Sequence, residues 1–317
     1  RVGLRGPLTS TIDWDVSGSY GESNQVQAIQ NYILTSRVRQ SALVSLVGGV
    51  PTCHDPSNGC VPVDIFGPEG SITPAMVDFL NETSTSRVKT SLGQLRGIIS
   101  GDLGYSLPWA AQPIGFAVGT EFRKYKGEQA SDTLAKTPGE LGGAGGAAPD
   151  IKGGYSVYEG YGEFFAPLVE DKAFAESLTL EAGVRYSKYE VDGEDVTNST
   201  WTWKAGGSWE PGYGLKIRGN YSKAVRAPNL GELFTPQTVG LTNLGVDPCA
   251  NQAPVNNADL RAICLAQGAP AGTIGLITNP TAAQANAVFG GNVNLDPETA
   301  KTWTLGVVFQ PEFLPRF

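Results

Sequence analysis

The sequence predicts an all-β protein, an antiparallel transmembrane β-barrel seen in part, with long loops gathered at one rim. Three observations predict it. Period-two alternation of apolar and polar residues recurs along the chain, as in Leu215, Ile217, Gly219 and Tyr221 set against Lys216, Arg218, Asn220 and Ser222. The composition is rich in glycine (41) and aromatics (12 Phe, 11 Tyr, 6 Trp), the residues of turns and half-buried strands. Short connections alternate with mostly long ones along the whole chain.

Taken in order, Arg1–Gly6 reads as a strand already under way, so the chain is expected to be a piece of a longer protein. After the turn Pro7–Ser10, Ile12, Trp14, Val16, Gly18 and Tyr20 alternate with Asp13, Asp15, Ser17 and Ser19. From Asn24 to Ser86 the alternation stops and a long loop is expected. Within it Ser71 or Thr73 can cap a short helix that Pro74 opens and Ala75–Leu80 continues.

Arg87–Tyr105 resumes the pattern, with Leu95, Ile99, Leu103 and Tyr105 on one side and Gln94, Arg96, Ser100 and Asp102 on the other; Ile98 breaks the polar face. Leu107–Pro113 turns the chain into Ile114, Phe116, Val118 and Phe122. Gly127–Gly153, with its Gly/Ala run at Gly142–Ala148, holds no evident core former and is expected to be mobile. Tyr155–Ala166 is a strand that period two does not sort, because Glu159 and Glu163 share a face with Val157 and Phe165.

A turn over Val169–Phe174 leads to Leu178, Leu180, Ala182, Val184 and Tyr186. The acidic turn Asp192–Asp195 reads as solvated, with calcium binding as its rival. Trp201, Trp203, Ala205, Gly207 and Trp209 follow, then Pro211–Gly214, the strand from Leu215, the loop Ala227–Ala300, and a last strand from Lys301 to Gln310. Pro311–Phe317 reads as the start of another turn. The chain holds about nine such strands of ~10–15 residues, enough for a barrel wall too wide to be filled by side chains.

Sorting of loops by length, and tryptophans on an outward apolar face beside a loop end, favour a membrane barrel over a soluble sandwich. No apolar run reaches the length of a transmembrane helix. The net charge of -8 argues against nucleic acid as a partner. No nucleophile elbow, phosphate loop or dinucleotide fingerprint is present, and the single histidine, His54, sits in a loop, so no enzyme, cofactor or metal centre is expected.

Four cysteines allow three pairings. Proximity favours Cys53 with Cys60 and Cys249 with Cys264, which suits an oxidising compartment. A zinc site built on Cys53, His54 and Cys60 is the rival.

The loop Ala227–Ala300 carries five acidic residues, one basic residue and nine Asn, a surface suited to neutral hydroxyl-bearing or cationic ligands. Two short helices fit it, Ala258–Gln267 behind Asn256 or Asn257, and Thr281–Val288 behind Asn279–Pro280. Arg226, Asn229, Glu232, Asp247, Asn292 and Asn294 are the candidate ligand contacts. For Arg226, Asn229 and Glu232 the competing role is structural, holding the strand-to-loop transition that Pro228 begins.

Tyr221–Phe234 and Asn294–Pro311, together with Cys60–Gly67 and Asp247–Ala250, resemble the barrel of TonB-dependent outer-membrane receptors, and the motifs occur in the family's order over nearly the whole chain. The resemblance implies a barrel of about 22 strands in the outer membrane of a Gram-negative bacterium. It also implies an N-terminal plug, and import of a scarce nutrient (ferric siderophore, cobalamin or oligosaccharide) driven by the TonB–ExbB–ExbD complex. Residues 1–317 are then part of one barrel domain, without plug or final strands, lying in outer-membrane lipid. A passive porin-like barrel is the alternative, and a secreted β-adhesin a third reading.

Overall fold

The computed structural model describes residues 1–311; most of the turn expected over Pro311–Phe317 lies outside them. In chain order the strands and helices are β1 (Val2–Pro7), β2 (Ile12–Ile33), α1 (Thr35–Ala42), β3 (Val44–Val47), β4 (Val50–Cys53), α2 (Pro74–Leu80), β5 (Asn81–Ser106), β6 (Pro113–Ser131), α3 (Thr133–Lys136), β7 (Ile151–Lys172), β8 (Ala175–Val191), β9 (Thr197–Gly212), β10 (Leu215–Arg226), α4 (Leu230–Phe234), β11 (Thr238–Asn243), α5 (Ala253–Asn256), α6 (Ala258–Ala266), β12 (Gln284–Phe289) and β13 (Glu298–Phe309).

Nine strands make one antiparallel sheet in the order β1-β2-β5-β6-β7-β8-β9-β10-β13. Each pairs with its predecessor in the sheet, while β3–β4 is a separate hairpin and β11–β12 a separate two-stranded antiparallel sheet within the loops. The sheet is open, with β1 and β13 as its edges among the described residues.

Register carries the side-chain alternation across the whole sheet. Trp14, Ile99, Val118, Gly162, Val184 and Trp203 lie in one cross-strand row. One residue further along, Asp15, Ile98, Gly119, Tyr161, Arg185 and Thr202 form the next row, on the other face. Val184 is 47% and Leu305 80% exposed, and among the described residues no second sheet stacks on the apolar face. Leaving one such side chain in water forgoes about 1.5–3 kcal/mol. A sheet that does so in all of its strands but β10 is built for an apolar solvent.

The strands run further than alternation suggested. The loop expected over Asn24–Ser86 begins only after Ile33 and ends at Leu80, because β2 and β5 stay paired from Ile12↔Gly101 to Ile33↔Asn81. Likewise β6 continues to Ser131 and β7 starts at Ile151. Beyond the apolar band both faces meet polar surroundings, so nothing there demands period two, while the backbone ladder remains favourable. At the other rim the connections tighten. Tyr213 (φ 58°) and Gly214 (φ 73°) alone link β9 to β10 in the left-handed region, as a two-residue hairpin requires.

Two further expectations need correction. The Gly/Ala run is tied down: Leu141 is buried and bridges Leu34, and Gly146 bridges Gly240. The helix expected over Thr281–Val288 is a single 3-10 turn, Thr281–Ala283, followed by β12, which pairs with β11 from Thr238↔Phe289 to Asn243↔Gln284. Pairing with a β-branched partner strand overrides the helical preference of an alanine-rich segment. The other two helices stand as expected. Thr73 caps α2 ahead of Pro74, and Asn257 caps α6, with its side chain accepting from the Leu260 N–H at 3.0 Å.

Candidate functional site

The long loop after β10 begins with a helix seated on the sheet's polar face. Asn229 caps α4, accepting from the Glu232 N–H at 2.9 Å, while the Glu232 carboxylate accepts from the Asn229 N–H at 2.8 Å. Leu230 and Phe234 then project onto β6 and β7. A Cβ added at Gly127 would lie 2.5 Å from Leu230 Cδ1, and one at Gly153 would lie 2.3 Å from Phe234 Cδ2. These two glycines leave the space into which α4 fits, and Leu233 between its contacts is buried. The loop's return arm closes over the helix: Gly291 N donates to Thr235 O at 2.7 Å and Asn292 N to Glu232 O at 2.8 Å.

Arg226 ties both arms of the loop together. Its Nη1 and Nη2 reach the two Glu232 oxygens at 3.1 and 3.0 Å, and its Nε and Nη2 reach those of Glu298 at 3.0 and 2.7 Å. The Arg226 side chain, helped by the Asn229 N–H, holds the Glu232 carboxyl below the ordinary carboxylate range.

Of the residues singled out in the sequence, Arg226, Asn229, Glu232 and Asn292 thus come together around α4. Asn294 joins them, its N–H donating to Asn292 Oδ1 at 3.0 Å. Asp247 stands apart in a lobe closed by the Cys249–Cys264 disulfide, where its Oδ1 accepts from Cys249 N at 2.8 Å. Cys53 and Cys60 are also bonded to each other, so their sulfurs are not free as zinc ligands, and His54 Nε2 lies 2.6 Å from Ser45 Oγ. In the acidic turn, Asp192 pairs with Lys124.

The polar face holds a charge cluster that the sequence reading did not find. Glu159 on β7 is buried, its Oε2 lying 2.5 Å from Arg123 Nη2 and 3.2 Å from Arg185 Nη1, and its Oε1 accepting from Ser187 Oγ at 2.6 Å. Arg123 Nε also lies 3.2 Å from Glu121 Oε1, an ion pair without hydrogen-bond geometry, and Gln94 Nε2 donates to Glu121 at 2.8 Å. Arg185 stacks on Tyr161 at 4.6 Å. The clue lay in Glu121, Arg123, Glu159 and Arg185 having opposite charges in neighbouring strands, but only the register makes them neighbours.

A wall with one apolar face, an opposite face lined by ion pairs, and loops folded across one end of that polar face is the arrangement of a solute-conducting membrane barrel. The family model for TonB dependent receptor-like β-barrels matches residues 4–315. The chain belongs to this family. No curated protein and no solved structure matches it. TonB-dependent receptor barrels are outer-membrane nutrient transporters rather than enzymes, and their family implies dealings with the TonB system and with ligands. No helix among the described residues is long and apolar enough to cross a membrane, which leaves spanning to the strands of such a barrel.

Proposed function

We propose that this receptor barrel binds a scarce nutrient at the mouth roofed by its long loops and admits it along the polar wall with energy supplied through TonB. The observation that carries the reading is the exposed apolar face bounded by aromatic residues at both ends. Trp109, Phe174 and Tyr213 are exposed at the short-turn rim, and Tyr158, Trp201 and Trp303 toward the loops, as at the two interfaces of a bilayer.

Ligand contact is assigned to the exposed amides Asn292 and Asn294 and to the lobe that carries Asp247. Arg226, Asn229 and Glu232, whose polar groups are engaged with one another, shape the rim that presents them. A ferric siderophore, cobalamin and an oligosaccharide are the ligand classes that suit this amide-rich surface.

The test is growth of a strain lacking the intact gene on limiting iron, cobalamin or oligosaccharide, paired with binding of the matching ligand to the intact protein. One nutrient is expected to become limiting, and its uptake to stop when the proton gradient is collapsed. Normal growth on all three, or uptake that persists without the gradient as through a passive pore, would refute the reading.

A further inference from the structure

Leu92, Tyr125 and Tyr155 form one cross-strand row of β5, β6 and β7 on the polar face, next to the row of Gly127 and Gly153 on which α4 is seated. Tyr155 stacks against the Tyr125 ring, with centroids 4.8 Å apart and planes 27° from parallel. A groove opens beside this pair, lined by Thr90, Leu92 and both tyrosines and roofed by Asn229 and Leu230 at the start of α4. The three strands that carry its wall each have a neighbour on both sides.

The Tyr125 ring is held in place. Arg123 Nη1 donates to its phenol oxygen at 3.1 Å, and the guanidinium lies 5.8 Å from the ring centroid. Arg123 is itself neutralised by Glu159 and Glu121. Glu22 and Lys126, which border the groove, alternate to the opposite face, where Glu22 pairs with Lys89 at 3.1 Å. Among the described residues the groove thus presents no unpaired charge. It presents an aromatic pair, the hydroxyls of Thr90 and Tyr155, and the Nδ2 of Asn229, whose Oδ1 is spent on the helix cap.

We propose that this groove is a subsite for one ring of a neutral oligosaccharide. A pyranose has an apolar C–H face, which packs on the tyrosine pair, and a rim of hydroxyls, which exchange hydrogen bonds with Thr90, Tyr155 and Asn229. An anionic iron chelate would be desolvated here with no cation to meet it. The inference rests on the reading of the barrel as a nutrient receptor and selects one of its ligand classes.

The test is calorimetric binding of neutral tri- to pentasaccharides of gluco, manno, galacto and xylo configuration to the intact protein in detergent. At least one is expected to bind, with roughly a tenfold loss of affinity in Tyr125→Ala. Tyr125→Phe, which keeps the ring and drops the Arg123 tether, retains most of the affinity. Thr90→Val loses about threefold to tenfold without touching the aromatic stack, and so serves where Tyr125→Ala does not fold. Ser208→Ala, on the same face far from the loops, binds as wild type. Equal affinity in Tyr125→Ala, Thr90→Val and wild type, or capture of ferric enterobactin or cyanocobalamin in place of every oligosaccharide, would overturn the subsite and leave the receptor reading intact. Binding that depends on Tyr125, with uptake that persists after the proton gradient is collapsed, would keep the subsite and remove the receptor reading. Binding of none of these probes would remove both.

Discussion

Arg226 and Glu298 are joined twice. They are opposed residues at the end of the β10–β13 ladder, and their side chains meet with Nη2 2.7 Å from Oε1 and Nε 3.0 Å from Oε2. Glu232 accepts from the same guanidinium, so one cation fixes where the long loop leaves the sheet and where it returns. Replacing it with Arg226→Gln leaves two carboxylates facing each other, and faster amide exchange over Leu230–Phe234 with the strands unchanged is the expected result. The Glu232 carboxyl is held low, so its contribution is complete above the ordinary carboxylate pKa and is lost as pH falls through the depressed value. Protection factors in α4, taken against the intrinsic exchange rate at each pH, should therefore fall only on acidification, and less steeply in Glu232→Gln.

The seat of α4 depends on an absent side chain. Gly153→Ala places a methyl 2.3 Å from the Phe234 ring and should weaken the docking of α4 by about 1–3 kcal/mol. Limited proteolysis within the loop reads this out. Phe234→Ala in the same chain should restore resistance in part, and equal sensitivity of Gly153→Ala and wild type would refute the packing.

Glu159 compensates two arginines inside the sheet's polar layer. Glu159→Ala leaves the partly exposed Arg123 and Arg185 facing each other, a loss of about 1.5–3 kcal/mol for removing a hydrogen-bonded charge. Ser187→Ala removes a single hydrogen bond and should cost about 1 kcal/mol. The order of the two losses, measured by urea titration of the folded protein in detergent, is the check.

The Cys249–Cys264 disulfide encloses α5 and the start of the lobe that carries Asp247. Without reductant, alkylation should leave the mass unchanged. In Cys249→Ser/Cys264→Ser the closure contribution to the lobe, about 3 kcal/mol for a loop of ~15 residues, is lost. Amide exchange should rise from Asn251 to Ile277 and stay constant in β10 and β13.

What could be read without coordinates was whatever repeats or is local. Trp201, Trp203, Ala205, Gly207 and Trp209 share a face by counting alone, and Thr73–Pro74 and Asn257 announce their helices within a few residues. Where both faces of β2 and β5 are polar the count falls silent, and some ten residues at the end of β2 carry no alternation that marks them as strand. Arg226, Asn229 and Glu232 fall together in the sequence at the strand-to-loop transition that Pro228 begins, whereas the helix that Asn229 caps and Glu232 closes onto emerges only in the structure.

The sequence by itself determined the period of the strands, the two unlike faces they create and the family the wall resembles, because each strand's alternation is written in that strand. Only the tertiary structure decided that Glu159 lies between Arg123 and Arg185, that Gly127 and Gly153 make room for Leu230 and Phe234, and that Tyr125 stacks on Tyr155. Those relations depend on the register between strands and on where a long loop comes to rest, and a one-residue slip would exchange the faces without altering any local pattern.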